Sequence, residues 1–327
     1  MVDIIIPTYK ARETLPQTLD SLVSQTKKMF IVTIVQDCDD EDYTDIIKTY
    51  KERGLKCRLI KTPQNMGPGV ARQYGMDSDR MSDYFMFVDS DDILMPRAVE
   101  VLSREIQINK KDLVASDFLV ERKHSTPVLF KATSIPCTWT HGKIYRAKYL
   151  RDNNIRFLND LRLNEDAYFN LVAHNCTEKK TTIPEVTYLW RDNKNSLTRQ
   201  DKSFFSKSWN MYIESQVKGL LKIIDILNDN IDAKLVGLTI INIYKYFMRA
   251  IYESVDLEKA IKTLKRLKSS EIIQNKIDTE EFWRTIAKNL TACSFKDKDE
   301  LFFFSQRFPE WLNMYVLEKI KEKREYR

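Results

Sequence analysis

A doubly wound, mostly parallel α/β sheet followed by a helical region is the fold class this sequence predicts, and three observations carry it. Short apolar runs alternate with amphipathic stretches over the first hundred residues, which is the rhythm of βα units. The runs are continuously apolar rather than alternating, as strands covered on both faces require. Beyond about Asp201 the apolar spacing settles at three to four residues, the period of helix. At 327 residues the chain is long enough for one large α/β unit and a second, smaller domain.

Taken in order, Val2–Ile6 is the first strand, closed by Pro7 and followed by a helix carrying Leu15, Leu19, Leu22 and Val23. Phe30–Val35 is the second strand, Tyr43–Arg53 a polar helix, Lys56–Ile60 the third strand and Tyr84–Val88 a fourth, buried one. Asp112–Phe118 and Thr181–Trp190 are further strands, with helical signals between them around Arg146–Asn153 and Asp166–His174. The sheet closes near Trp190, and a boundary near Arg199–Ser203 divides a domain over 1–200 from a helical domain over 201–327. In the second domain Leu235, Leu238, Ile241, Tyr244, Phe247 and Ile251 form a stripe that should pack inward, continued by Leu257, Ile261 and Leu264.

Composition narrows the class. Hydrophobic residues at 43%, with 16 Phe, 15 Tyr and 5 Trp, exclude a disordered chain, and only 7 Gly and 9 Pro exclude collagen-like or linker-dominated ones. A net charge of +6 fits a solvated surface as well as a polyanion partner. Five scattered cysteines, none in a C-x-x-C pair, argue for reduced thiols and a cytoplasmic protein. Asp3 inside the first apolar run and the lack of any long apolar stretch lead us to expect neither a signal peptide nor a spanning helix.

Ligands of such sheets bind beyond the carboxyl ends of the strands, and the residues there are polar. Asp89-Ser90-Asp91-Asp92 follows the fourth strand directly; alternate residues of an extended chain face the same way, so Asp89 and Asp91 can address one ligand. Two hard oxygens suit Mg²⁺ or Mn²⁺, which keeps few carboxylates and draws its other ligands from phosphate and water. The plainer reading is that Asp91 or Asp92 caps a helix opening at Pro96. Asn65-Met66-Gly67-Pro68-Gly69 lets backbone approach an anion at a helix start, or is an ordinary turn with Arg72 in a surface ion pair. Asp37 ends the second strand, and most acids of the Cys38–Asp42 run after it read as a solvated loop.

These pieces in this order, from Ile4-Ile5-Ile6-Pro7-Thr8 through Asp37, Asn65-x-Gly67, Ala71-Arg72 and Asp89-Ser90-Asp91-Asp92, resemble family 2 glycosyltransferases with the GT-A fold. The resemblance continues through Gly142–Arg146 and Glu165-Asp166 to Trp190-Arg191 and Ser196, about the first 200 residues. It implies a GT-A-like sheet and a nucleotide pocket lined by Pro7, Thr8 and Asp37, with Arg72 joining Asp37 near the base, and Asn65 and Gly67 in the donor-binding turn. It further implies Asp89 at the ribose, Asp91 on the metal bridging the diphosphate, and Asp166 as general base. Gln36-Asp37-Cys38-Asp39 departs from the acid-acid-glycine-serine run of many relatives, which bears on base preference.

Beside the family name, Glu165 and Asp166 read equally as first-turn acids of a helix over Ala167–His174. Arg191 and Ser196 can clamp the diphosphate; Trp139 and Trp190 stack on a sugar or lie buried; His141 and His174 read as core or surface residues rather than metal ligands. The expected activity is inverting transfer from a nucleotide diphosphate sugar, UDP-linked, with Mn²⁺ or Mg²⁺, to a hydroxyl of a surface polysaccharide, another glycan or a lipid-linked acceptor. DNA is the rival acceptor: pI 8.8 and Lys262, Lys265, Arg266 and Lys268 on outer helix faces would suit it. A non-catalytic binder is the rival class, opposed by the intact acids Asp89, Asp91 and Asp166. The closing Lys319–Arg324 run reads as a solvated helix end.

Overall fold

The computed structural model describes residues 1–78, 81–123, 127–133, 138–161, 164–193 and 202–252, together with 270–277, 279, 281, 282 and 285. Ser196, the 257–268 positions and the closing basic run lie outside them, as do the side chains of Tyr244, Phe247 and Ile251. The chain divides into two compact units, Met1–Gln200 and Asp201–Arg327.

The first unit opens with β1 (Val2–Thr8), α1 (Leu15–Val23), β2 (Phe30–Gln36), α2 (Thr44–Glu52), β3 (Cys57–Lys61), α3 (Pro68–Ser78) and β4 (Tyr84–Phe87). All seven residues of β1 are buried, as expected of a strand covered on both faces. β1 pairs parallel with β2 and β4, and β2 pairs parallel with β3. On one face α1 contributes Leu15, Leu19 and Leu22 to the core. On the other, α3 lies so close that a Cβ at Gly75 would come within 2.6 Å of Ile5 Cγ2. The one acid inside β1, Asp3, is wholly buried and accepts a hydrogen bond from Thr33 Oγ1 at 2.9 Å.

A two-residue β5 (Ile93–Leu94) precedes α4 (Ala98–Ile108), and then come β6 (Leu113–Lys123), β7 (Pro127–Ala132), β8 (Lys143–Arg146), α5 (Ala147–Asp152), α6 (Glu165–Asn175) and β9 (Lys180–Trp190). The nine strands form one sheet of order β3-β2-β1-β4-β8-β6-β9-β5, with β7 paired to β6. The sheet is parallel except that β8 runs against both β4 and β6, and β5 and β7 against their partners. Three strands escaped the sequence: β5 has two residues and β8 four, too short for a periodic signal, while β7 carries exposed Leu129 and Phe130 at the sheet's margin. The N-cap of α4 is Arg97, whose side chain makes no capping bond, and neither Asp91 nor Asp92 caps the helix.

In the second unit α7 (Lys202–Leu227) and α8 (Ala233–Tyr252) are long helices and α9 (Glu271–Ile277) a short one. Ile241 of the expected stripe is buried, but Leu235 and Leu238 are half-buried, and Val236, Ile240 and Ile243 are buried instead. The buried face is therefore turned about one residue from the stripe, toward Gly237, where Phe282 and Thr285 pack.

Candidate active site

The strand ends β1, β2 and β4 lie side by side: the Asp37 amide donates to Thr8 O at 2.8 Å and the Val88 amide to Ile5 O at 3.1 Å. Pro7 and Thr8 are buried at the end of β1, where Thr8 Oγ1 donates to Val35 O. Asp37 is 3% exposed, and its carboxylate accepts from Thr62 Oγ1 at 2.9 Å, the Met66 amide at 3.0 Å and the Gly67 amide at 2.7 Å. It thus ties down the turn that opens α3. Gly67 has φ +90°, a conformation suited to glycine, and Asn65 stands exposed on the turn. Asp39 is the exception in a run whose Asp40 and Asp42 are exposed: it is 6% exposed and accepts from the Lys10 amide and the Tyr43 hydroxyl.

Arg72, one turn into α3, is 4% exposed. It is not a surface ion pair, and its guanidinium goes to other acids than Asp37: Nη2 donates to Asp89 at 2.6 Å and Nη1 to Glu165 at 2.9 Å. Burial works against its charge, but Asp89 and Glu165 more than offset this and hold its pKa above the ordinary value. Asp89 keeps 38% of its side chain exposed, and Asp91 accepts from Asn193 Nδ2 at 2.9 Å. Asp92 is the buried member of the run at 1% exposure, accepting from the Tyr188 hydroxyl at 2.7 Å and the Arg191 amide at 2.8 Å. Tyr188 in turn accepts from the Asp89 amide at 3.2 Å, so the acidic turn is anchored to the end of β9.

Glu165 and Asp166 open α6. Asp166 is half-buried, and its Oδ1 accepts from the Ala167 amide at 2.7 Å. Burial raises the pKa values of Glu165, Asp166 and Asp92; Arg72 opposes it at the first two, while Asp89 and Asp91 add to it at Asp92. Glu165 is carried up to about 7. Lys143, at the start of β8, is 1% exposed, donates to Trp139 O and favours the charged form of Asp166. Arg191 donates to Gln17 and lies 3.8 Å from Glu121. His141 is a neutral core residue stacked on Tyr188 and Trp139, its pKa driven down by burial and then by Lys143 and Arg72, and half-buried Trp190 packs beside it.

Asp89, Arg72 and Glu165-Asp166 therefore share one cluster, with Asp92 and Arg191 joined to it through Tyr188 and Asp91 next to Asp92 in the chain; Pro7, Thr8, Asp37, Asn65 and Gly67 form a second group beside it. Sequence reasoning missed the bridging role of Glu165 and the buried Asp92 and Lys143. Adjacent acids in Glu165-Asp166 and a third acid after Asp89 and Asp91 were the only signals available. Among the described residues no three His, Cys, Asp or Glu side chains gather as a metal site. The donor set nonetheless fits Mn²⁺ or Mg²⁺: Asp89 and Asp91 are half-buried hard oxygen donors, and such ions take one or two carboxylates and complete their shell from phosphate and water.

A mostly parallel sheet with acids gathered beyond its central strands defines a GT-A-type domain. The comparison with known proteins agrees: residues 3–160, most of the amino-terminal unit, match glycosyl transferase family 2. The uncharacterized glycosyltransferase EpsJ of Bacillus subtilis is 28% identical over 218 residues, 61% of this chain and 63% of that protein. The poly(ribitol-phosphate) beta-N-acetylglucosaminyltransferase TarS of Staphylococcus aureus is 26% identical over 200 residues, 57% of this chain and 35% of TarS. The chain thus matches less than two thirds of either relative's length. The crystal structure of TarS 1-349 in complex with UDP shares the fold, with a TM-score of 0.69 at 18% identity over 100% of this chain and 92% of that one.

Proposed function

We propose that the chain is a metal-dependent, inverting glycosyltransferase that takes a UDP-linked sugar and transfers it to a hydroxyl of a cell-surface glycan polymer. The observation that carries this is the buried Arg72, which joins Asp89 on the donor side to Glu165 beside Asp166 on the other. TarS is named for a poly(ribitol-phosphate) acceptor and has been crystallised with UDP, which supports the donor and acceptor classes. The relatives give no support to a DNA acceptor, and the four basic residues it would use lie outside the described residues.

In this reading Asp91, with Asp89 beside it, holds the metal, and a bound divalent ion supplies charge stabilisation to the departing diphosphate. Asp37 acts at one remove, keeping the Thr62–Gly67 turn in place beside Thr8. Asp166 accepts the proton of the acceptor hydroxyl as its oxygen attacks, and attack opposite the leaving group inverts the anomeric carbon. Burial raises the basicity of Asp166, while Arg72 and Lys143 favour its charged form. Arg191, held by Asp92 through its backbone, would exchange the contacts of its guanidinium with Gln17 and Glu121 for phosphate.

The test is a panel of UDP-sugars with Mn²⁺, offered to the wild type and to Asp166→Asn. The variant should bind UDP as the wild type does and lose transfer by about a hundredfold or more. Transfer within about tenfold of wild type would move the base elsewhere.

A further inference from the structure

The reaction as derived uses Asp166 and leaves its neighbour without a task. Glu165 is 7% exposed, although an acid in the first turn of a helix gains its dipole interaction at the surface just as well. Burying a carboxylate is costly unless it is paired, so the burial itself asks for a reason. The surrounding chain is shaped to allow it. A Cβ built on Gly69 would lie 2.5 Å from Glu165 Cγ and 2.8 Å from its Cβ, so α3 and α6 approach this closely only with glycine at that position. Asn164 turns the chain into α6 with φ +59°, which asparagine tolerates better than most residues. From there Glu165 meets Arg72 at 2.9 Å, and the other arm of the same guanidinium holds Asp89 at 2.6 Å. One rigid, planar cation therefore spans the acidic turn after β4 and the first turn of α6.

We propose that Glu165 is a positioning residue for transfer: through Arg72 it sets where Asp166 stands relative to Asp89, without itself touching substrate. This rests on the glycosyltransferase reading above. The competing view is that the ion pair merely ties α3 to α6. A tie alone predicts that activity is lost only as the protein unfolds. Positioning predicts that turnover falls in fully folded protein while donor binding holds, because a displacement of about 1 Å at a reacting group suffices to cost about a hundredfold.

Three variants separate these views. Glu165→Gln keeps the length and an acceptor oxygen and removes the charge. Glu165→Asp keeps the charge one methylene short of Arg72, and Gly69→Ala leaves both charges and displaces Glu165. Each is assayed with UDP-sugars and Mn²⁺ at a temperature where circular dichroism shows it folded, with UDP as the calorimetric binding probe. The expected result is a fall in kcat of about a hundredfold with UDP affinity within about threefold of wild type. The Gly69→Ala, Glu165→Gln double variant should be no slower than the slower single one, since both act on one contact. If Glu165→Gln does not fold, Gly69→Ala and Glu165→Asp decide. Unchanged kcat in the folded variants of an active wild type overturns the inference alone, and so does an equal fall of kcat and UDP affinity. A wild type that turns over no UDP-sugar overturns the glycosyltransferase reading and the inference with it.

Discussion

Replacing Asp37 by asparagine changes one atom and should cost the amino-terminal unit several degrees. The carboxylate is 3% exposed and receives three donors: the Thr62 hydroxyl and Met66 amide at Oδ1, and the Gly67 amide at Oδ2, 2.7 Å away. An asparagine that keeps its oxygen toward Thr62 and Met66 turns an NH₂ group onto the Gly67 amide, donor against donor. A hydrogen bond to a charged group contributes about 1.5–3 kcal/mol, and a buried N–H left without an acceptor costs about 1–3 kcal/mol. The two overlap, so the net loss is about 2–4 kcal/mol, or roughly 5–12 °C in Tm for a unit of this size. Thermal unfolding followed by circular dichroism reads the first transition, and UDP titration reads the turn, which should bind more weakly once Gly67 is released. A Tm within about 1 °C of wild type would show that the carboxylate does not hold the turn.

Asp91→Ala should abolish the metal dependence of UDP binding, lowering affinity in Mn²⁺ by about a hundredfold, while Tm stays within about 2 °C because the position is only half-buried; unchanged affinity in calorimetry would remove Asp91 from the site. His174 has its pKa pushed down to about 4, by burial first and then by Lys180 and Lys143. A histidine depressed in the folded state binds fewer protons there than when unfolded, so its contribution is present above about 6.5 and is lost as pH falls toward 4. His174→Gln should therefore flatten the fall in Tm across that window, and an unaltered pH profile would show that the loss comes from other groups.

The legibility of this chain followed burial and length. β1, β2 and β4 were readable because each is a run of apolar residues buried in the sheet, and Asp37, Asp89 and Asp91 drew attention because they stand where such runs end. β8 was not, since Lys143–Arg146 is too short for a pattern and carries a lysine that the fold buries. The roles of Arg72 and Asp92 were hidden for another reason. Their partners Glu165 and Tyr188 are 93 and 96 positions away, and no local spacing records a contact made by tertiary approach. On α8, Leu235 and Leu238 looked like the buried stripe by hydropathy, but Gly237 and Thr239 lie on the face that packs, and small residues carry little weight in such a reading.

β8 enters the sheet at the edge where β1, β2 and β4 leave it. The chain consequently builds the edge in two passes: Thr8, Asp37, Arg72, Asp89 and Asp91 are in place by residue 91, and Lys143, Asp166 and Arg191 arrive on a later stretch. The reversal of a single four-residue strand thus brings two stretches far apart in the chain to one edge of the sheet.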